Sequence, residues 1–266
     1  MPLKLAAAEY GQGPPVLVLH GLFGSGRNWA SIAQKLAPTY RVFTLDLRNH
    51  GASPWAETMG YAEMADDVRA FIAERGLGRV AVIGHSMGGK TAMVLALRHG
   101  DLVERLVVVD VAPAANPPTL LAYVRAMQDV DLSRVTRRAD ADAPLAAAVP
   151  DPAVRAFLLQ NLLIDGGHAS WRLNLAAIDR AMGGLTGFPE LPPGSACAGA
   201  TLFVAGARSD YVRPEHEPTI MRLFPQARIE HIAEAGHWVH AEQPGAFLGR
   251  VAPFLADLTA PPAATA

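Results

Sequence analysis

The chain has 266 residues with a formal net charge of −2, and 50% of its residues are hydrophobic against 18% that are charged. This composition excludes a chain that is disordered throughout, the near-neutral charge without a basic run argues against nucleic-acid binding, and no apolar run approaches the ~18 residues of a membrane span. Because Cys197 is the only cysteine, we also exclude an intramolecular disulfide and a cysteine-rich metal cluster, and we expect a soluble, unprocessed cytoplasmic protein.

Short, nearly continuous apolar runs recur along the chain and predict strands of a parallel sheet that is buried on both faces. They are VLVLHG at 16–21, YRVFTLDL at 40–47, RVAVIGHS at 79–86, RLVVVDVA at 105–112, TLFVAGA at 201–207 and ARIEHIA at 227–233. Helical periodicity lies between them, for example from Tyr61 to Arg75, and a terminal helix is expected near 242–256. We therefore predict an α/β fold with a mostly parallel central sheet flanked by helices.

The alternation stops between Pro113 and Pro193, a stretch with several helical segments, proline-rich edges and no convincing strand. We interpret 113–193 as a helical cap inserted into an α/β core of 1–112 and 194–258, with 259–266 as a disordered tail. In open α/β sheets, ligands bind beyond the carboxyl ends of the strands. The cap and the loops at these strand ends are therefore expected to form the pocket.

The strongest local motif is Gly84-His85-Ser86-Met87-Gly88, which follows a predicted strand and precedes a predicted helix. This context is typical of the G-x-S-x-G nucleophile elbow, in which a sharp turn exposes the serine hydroxyl. The alternative is a glycine-rich turn that binds a phosphate or only joins two elements. Ser86 is therefore our candidate nucleophile.

A serine hydroxyl needs a general base, and the base needs an acid to orient it. His237 follows the last predicted strand, where its loop can return the imidazole to the strand ends, and His240 is the nearest alternative. Together these two histidines could suggest a metal, but no acidic or cysteine partner completes a ligand set. We therefore predict His237 as the base, with no metal and no cofactor.

Two aspartates compete for the role of the acid. Asp110 ends the strand RLVVVD, and Asp210 lies in the loop after the next strand. The usual hydrolase pattern places the acid three residues before Val212, and Ser209 occupies that position, so Asp210 is displaced by one. We favour Asp110 and keep Asp210 as the alternative.

Acyl transfer also needs an oxyanion hole with two N–H donors. The amide of Met87 is the first candidate, and the second is the amide of Leu22 or Phe23, in the glycine-containing loop after the first predicted strand. His20 is expected to hold this loop. We also predict three substrate-binding residues, namely His20, His85 and Trp238.

In order, the motifs HGLFGSGRNW, DLRNHGASP, GHSMGGKTAM, VVVDVAP and AGHWVHAEQP cover nearly the whole chain. They resemble the α/β-hydrolase family, and more narrowly the YbfF-like bacterial esterases and their mitochondrial abhydrolase-domain relatives. The resemblance implies a serine hydrolase acting on esters or acyl thioesters. It also implies a cap after the sixth strand of the family, with Asp110 as the acid that ends this strand. That subfamily usually lacks an aspartate after the seventh strand, so Asp210 departs from the pattern.

We therefore predict that Ser86 attacks an acyl carbonyl, His237 transfers the proton and Asp110 holds the imidazole, with a small-molecule ester or acyl thioester as the partner. Apolar cap residues such as Leu120, Phe157 and Leu158 offer surface for an acyl chain. Fold and triad do not define the substrate, so C–C bond hydrolysis and perhydrolase chemistry stay open, as does a ligand-binding protein without turnover. The sequence indicates neither the natural acyl group nor an oligomeric state.

Overall fold

The apolar runs of the sequence form the strands of one sheet. The structure is a computed structural model that describes residues 1–116, 120–256 and 258, and the predicted tail at 259–266 lies outside the described residues. The described strands are β1 (Ala7–Tyr10), β2 (Pro15–Leu19), β3 (Arg41–Leu45), β4 (Val80–His85), β5 (Val103–Val109), β6 (Leu162–Asp165), β7 (His168–Trp171), β8 (Ala200–Gly206) and β9 (Ala227–Ile232). Seven of them form the central sheet in the order β1-β3-β2-β4-β5-β8-β9.

Helices follow the strands and cover both faces of this sheet. The described helices are α1 (Ala30–Leu36), α2 (Tyr61–Glu74), α3 (Met87–Arg98), α4 (Leu120–Gln128), α5 (Arg138–Leu145), α6 (Pro152–Leu159), α7 (Leu175–Thr186), α8 (Glu217–Leu223), α9 (Val239–Glu242) and α10 (Pro244–Leu255). Alternate strand residues enter two separate apolar clusters, with Val82 in one and Ile83 in the other. The predicted mostly parallel sheet flanked by helices is confirmed.

The sequence analysis missed β1, the strand at one edge of the sheet. It pairs antiparallel with β3, whereas the other neighbouring strands of the sheet are parallel. Its residues are half-buried or exposed and include Glu9, so it lacks the apolar run that marks the buried strands.

The cap contains α4 to α7, but the expectation that it holds no strand is wrong. β6 and β7 form an antiparallel hairpin joined by Gly166 and Gly167, which both have positive φ values, 54° and 80°. Two residues with positive φ make the turn that best fits the twist of a hairpin. Leu162 and Trp171 pair across it and are buried in the cap, so α6 ends at Leu159 instead of continuing through the following apolar residues.

The cap follows β5 in chain order. This strand corresponds to the sixth strand of the family that the sequence resembles. Lys90, on the buried face of α3, holds both ends of the cap. Its Nζ donates hydrogen bonds to the carbonyl oxygens of Ala114 (2.7 Å), Thr186 (3.2 Å) and Gly187 (2.6 Å). Burial lowers the pKa of this amine to about 7, and only its charged form has three N–H donors for the three carbonyls. The helix that begins after Ser86 is thereby tied to the cap.

Candidate active site

Ser86 lies at the sharp turn between β4 and α3. Its backbone has φ 53° and ψ −117°, a conformation that few residues other than glycine adopt. A side chain at Gly84 would collide with the carbonyl of Gly88, and one at Gly88 would collide with the carbonyl of Leu19. Both glycines are therefore required for the close packing that presents Ser86 at the carboxyl end of the sheet.

His237 and Asp110 form a hydrogen-bonded pair beside this turn. His237 Nδ1 donates to Asp110 Oδ2 over 2.7 Å, while the carboxylate is fully buried and the imidazole is partly exposed. The amide of Gly206 donates to the other oxygen, Oδ1, over 2.8 Å. Because the bond to Asp110 fixes the proton on Nδ1, Nε2 of the neutral imidazole is left as an acceptor.

Asp210 is placed differently. Its side chain is exposed, and no hydrogen bond or ion pair joins it to another residue in the part of the chain that the structure describes. Tyr211, the next residue, stacks on His237 with ring centroids 4.0 Å apart. The structure thus brings Asp110, and not Asp210, into contact with His237.

Ser209 is a site residue that sequence reasoning did not assign. Its hydroxyl donates to Asp110 Oδ2 over 2.5 Å, and this is the same oxygen that accepts from His237. The only signal for it was its position three residues before Val212, where the usual hydrolase pattern has the acid. A hydroxyl at this position instead holds a carboxylate that comes from β5.

We expect Ser209→Ala to lower kcat for an ester about tenfold, because Asp110 Oδ2 loses a charge-assisted hydrogen bond and the imidazole is held less firmly. Steady-state kinetics with the variant should show KM nearly unchanged, and Ser209→Thr should restore most of the rate. If instead Ser209→Ala matched the wild-type kcat, Ser209 would have no part in positioning the carboxylate.

The loop after β2 and the start of α3 supply the predicted oxyanion donors. Met87 is the first residue of α3, so its amide has no acceptor within the helix. The amide of Phe23 donates to His50 Nε2 over 3.3 Å. Because the Phe23 amide already has an acceptor in His50, we favour Leu22 over Phe23 as the candidate for the second donor.

Buried histidines hold this loop. His20 Nδ1 donates to the carbonyl of Gly21 (2.8 Å), and its Nε2 accepts from the amide of Leu47 (3.0 Å). Both ring nitrogens of His20 are thereby occupied by the backbone, as expected for a residue that braces the loop. Burial lowers the pKa of His20 to about 4, and burial with the neighbouring His20 lowers that of His50 to about 3.

His85 packs against both His237 and His240, with ring centroids 4.7 and 5.1 Å apart. His85 Nε2 donates to the carbonyl of His237 over 2.8 Å and so helps to hold the loop of the base. His240 stacks on Trp29 with ring centroids 3.8 Å apart, so it packs against the core instead of meeting Ser86. Burial lowers the pKa of His240 to about 3 and takes that of His85 well below its usual range.

We expect the free energy of unfolding to fall as the pH drops from about 6.5 towards 4. His20, His50 and His240 stay neutral in the folded chain, whereas in the unfolded chain each takes up a proton near pH 6.5. The contribution of these histidines to the free energy of unfolding is therefore fully present above pH 6.5. Below pH 6.5 it falls by about 1.4 kcal/mol per pH unit for each histidine. Urea unfolding at several pH values measures this slope. His240→Phe should lower this slope by the contribution of one histidine, about 1.4 kcal/mol per pH unit. A slope identical to that of the wild type would contradict a neutral, buried His240 in the folded chain.

Ser86 and His237 open into a cavity of about 190 Å³ between the core and the cap. Its walls also include His20, His85 and Trp238, the predicted substrate-binding residues. The cap side is apolar and consists of Leu120, Tyr123, Val154, Phe157 and Leu158. Of the three predicted substrate-binding residues, Trp238 is the one whose ring packs against the cap wall, 5.6 Å from Phe157.

The RNHG loop after β3 is anchored by a buried ion pair. Arg48 donates to both carboxylate oxygens of Asp67 over 2.7 and 2.9 Å, and both side chains are almost completely buried. Asn49 Oδ1 accepts from Asn174 Nδ2 of the cap over 3.1 Å. Arg48 therefore has a structural role in holding the loop that carries His50.

A strand–serine–helix turn, a buried carboxylate with its histidine and a cap over the strand ends are the features of a capped α/β hydrolase. The chain belongs to the alpha/beta hydrolase fold family, whose model matches residues 14–244. It is 41% identical over 251 residues to the sn-1-specific diacylglycerol lipase ABHD11 of Mus musculus, which covers 91% of this chain and 81% of that protein. It is 33% identical over 247 residues to Esterase YbfF of Escherichia coli, covering 91% and 93%.

The solved structures agree on the fold. A structure named Marine microorganism esterase superposes with a TM-score of 0.91 at 36% identity, and the match covers 95% of this chain and 100% of that one. These three proteins are named as esterases or a lipase, which supports a hydrolase. No helix in the described ranges has the length and apolar composition needed to cross a membrane.

Proposed function

We propose that the protein is a serine hydrolase that cleaves carboxylic esters or acyl thioesters through an acyl-enzyme. The observation that carries this proposal is the 2.7 Å hydrogen bond between His237 Nδ1 and the buried Asp110, beside a cavity that is lined by both His237 and Ser86, the latter at a strained turn. Strained backbone at a nucleophile persists only where the surrounding structure maintains it.

In the proposed mechanism, His237 Nε2 takes the proton of the Ser86 hydroxyl as its oxygen attacks the acyl carbonyl. Asp110 stabilises the imidazolium that forms, and the amides of Met87 and Leu22 donate to the oxyanion. The imidazolium then protonates the leaving alcohol or thiol. Water attacks the acyl-enzyme in the second half of the cycle, with the same histidine as base.

The apolar cap wall favours an acyl chain as the part of the substrate that contacts Leu120, Phe157 and Leu158. The two relatives, an esterase and a diacylglycerol lipase, are named for ester substrates and support the same class. C–C bond hydrolysis and perhydrolase chemistry on these residues are the alternatives, together with a ligand-binding protein that lacks turnover.

The test is hydrolysis of p-nitrophenyl esters and of acyl-CoA thioesters from two to sixteen carbons, together with labelling by a fluorophosphonate probe. We expect turnover of at least one series and covalent labelling at Ser86. Labelling without turnover of any ester or thioester would favour the alternative substrates. The absence of both would overturn the proposal in favour of a ligand-binding protein.

A further inference from the structure

A second cavity, of about 700 Å³, lies beside the catalytic cavity. Phe23 and Asn28 line both. The boundary between them is polar, because Asn28 Nδ2 donates to Gln160 Oε1 of the cap over 3.0 Å and Asn161 Nδ2 donates to the carbonyl of Phe23 over 2.8 Å. The second cavity therefore adjoins the proposed site of bond cleavage and is closed on one side by the cap.

Three arginines line this second cavity, Arg27 from the core and Arg138 and Arg172 from the cap. Among the described residues of the same wall, Asp46 is the one acidic residue. Its carboxylate oxygens each accept a backbone N–H from a neighbouring loop over 2.7 Å, and its single negative charge stands against three positive ones. The lining thus carries an excess of positive charge in a chain whose net charge is −2.

The pairing of the other cap arginines sets Arg138 and Arg172 apart. Each of the others forms an ion pair with an aspartate or a glutamate, namely Arg125, Arg134, Arg137, Arg155 and Arg180. Within the described residues, Arg138 and Arg172 form no ion pair, and neither does Arg27. Both cap arginines without an ion pair therefore lie in the wall of one cavity, together with Arg27 of the core. Arg138 Nε donates to the carbonyl of Leu159 over 3.2 Å, which leaves the two terminal nitrogens of this guanidinium for a ligand.

A guanidinium group presents a planar fork of N–H donors that matches the oxygens of a phosphate or a carboxylate. We propose that the second cavity binds such an oxyanion, carried by the ester substrate. The proposal rests on the proposed function. In this arrangement the acyl carbonyl lies at Ser86, the apolar part of the substrate contacts the cap wall of the catalytic cavity, and the anionic part passes Phe23 and Asn28 to reach the arginines.

The test uses three esters of equal chain length: octanoyl glycerol, octanoyl glycerol phosphate and suberoyl glycerol, whose acyl chain ends in a carboxylate. The variants are Arg27→Gln, Arg138→Gln and Arg172→Gln. Arg134→Gln is the matched control, since Arg134 is also an exposed cap arginine but pairs with Asp131 outside the cavity. We expect KM for one of the anionic esters to rise about tenfold in the three variants with kcat unchanged. Added salt should raise the same KM in the wild type.

An effect confined to the phosphate ester would place the anion on the alcohol side, and an effect confined to suberoyl glycerol would place it on the acyl side. Equal losses for neutral and anionic esters, or no change for any ester, would overturn the proposal. Turnover of octanoyl glycerol by the wild type tests the proposed function separately. If this turnover is absent, calorimetry with hexyl phosphate against hexanol decides: binding that requires the phosphate and is lost in Arg172→Gln supports the anion site, and equal binding of the two compounds rejects it.

Discussion

Replacing Ser86 by alanine is expected to lower kcat for the best ester substrate by roughly five to six orders of magnitude, the size of effect seen when a serine nucleophile is removed from a triad. The reason is chemical, because no other group at the turn can form the acyl-enzyme. Serine and alanine both carry a Cβ, so the cost of the φ of 53° found at Ser86 should be similar for either residue, and the substitution should leave folding intact. Activity assays with purified protein measure kcat, and circular dichroism measures whether the variant is folded.

The matched control for this experiment is Ser195→Ala. Ser195 donates to the carbonyl of Pro192 in the loop before β8 and lies outside the cavity. This variant should keep both turnover and fluorophosphonate labelling, whereas Ser86→Ala should lose both. Hydrolysis at the wild-type rate by Ser86→Ala would exclude an acyl-enzyme on this serine.

The second large effect is expected for Asp110→Asn, with a loss of roughly ten-thousandfold in kcat. An asparagine amide can present an N–H to His237 Nδ1, which favours the tautomer with its proton on Nε2, and an imidazole of that form cannot accept the proton of Ser86. The amide oxygen can still accept from the amide of Gly206. One of the two hydrogen bonds that Asp110 accepts from Gly206 and Ser209 is therefore kept. The pH dependence of kcat/KM measures the loss of the base.

Asp210→Asn is the control for this substitution, because it removes an equal charge from the next loop. Its exposed side chain lies outside the contact with His237, and we expect less than about a twofold change. The opposite outcome, a large loss in Asp210→Asn and a small one in Asp110→Asn, would transfer the role of the acid to Asp210.

The parts of the site that the sequence predicted are those with a local signal. Ser86 lies in a motif whose two glycines permit the sharp turn. His237 and Asp110 each come after an apolar strand, and these strands end at the same edge of the sheet. Parallel strands bring such ends together, so positions far apart in sequence could be expected to meet. These inferences needed only the periodicity of the chain and the chemistry of the side chains.

Other features depend on contacts that no local pattern describes. The amide of Phe23 donates a hydrogen bond to His50, which lies 27 residues later in the chain. The sequence of the loop itself does not predict this contact. The role of Ser209 can be inferred only once Asp110, at the end of β5, is known to lie next to it. The cap hairpin is a different case, since its two consecutive glycines were visible but the stretch around them was predicted to contain helical segments and no strand.

The position of the cap between β5 and β8 has a consequence for the synthesis of the chain. These strands are neighbours in the sheet, with Arg105 opposite Ala200, yet the whole cap is translated between them. The apolar edge of β5 therefore leaves the ribosome long before its partner, and an open strand edge invites pairing with other chains. Asp110, at the end of β5, is made before the cap, but the loop that carries its histidine follows β9. A nascent chain can complete neither its sheet nor its proposed charge pair until β9 and the loop after it have emerged.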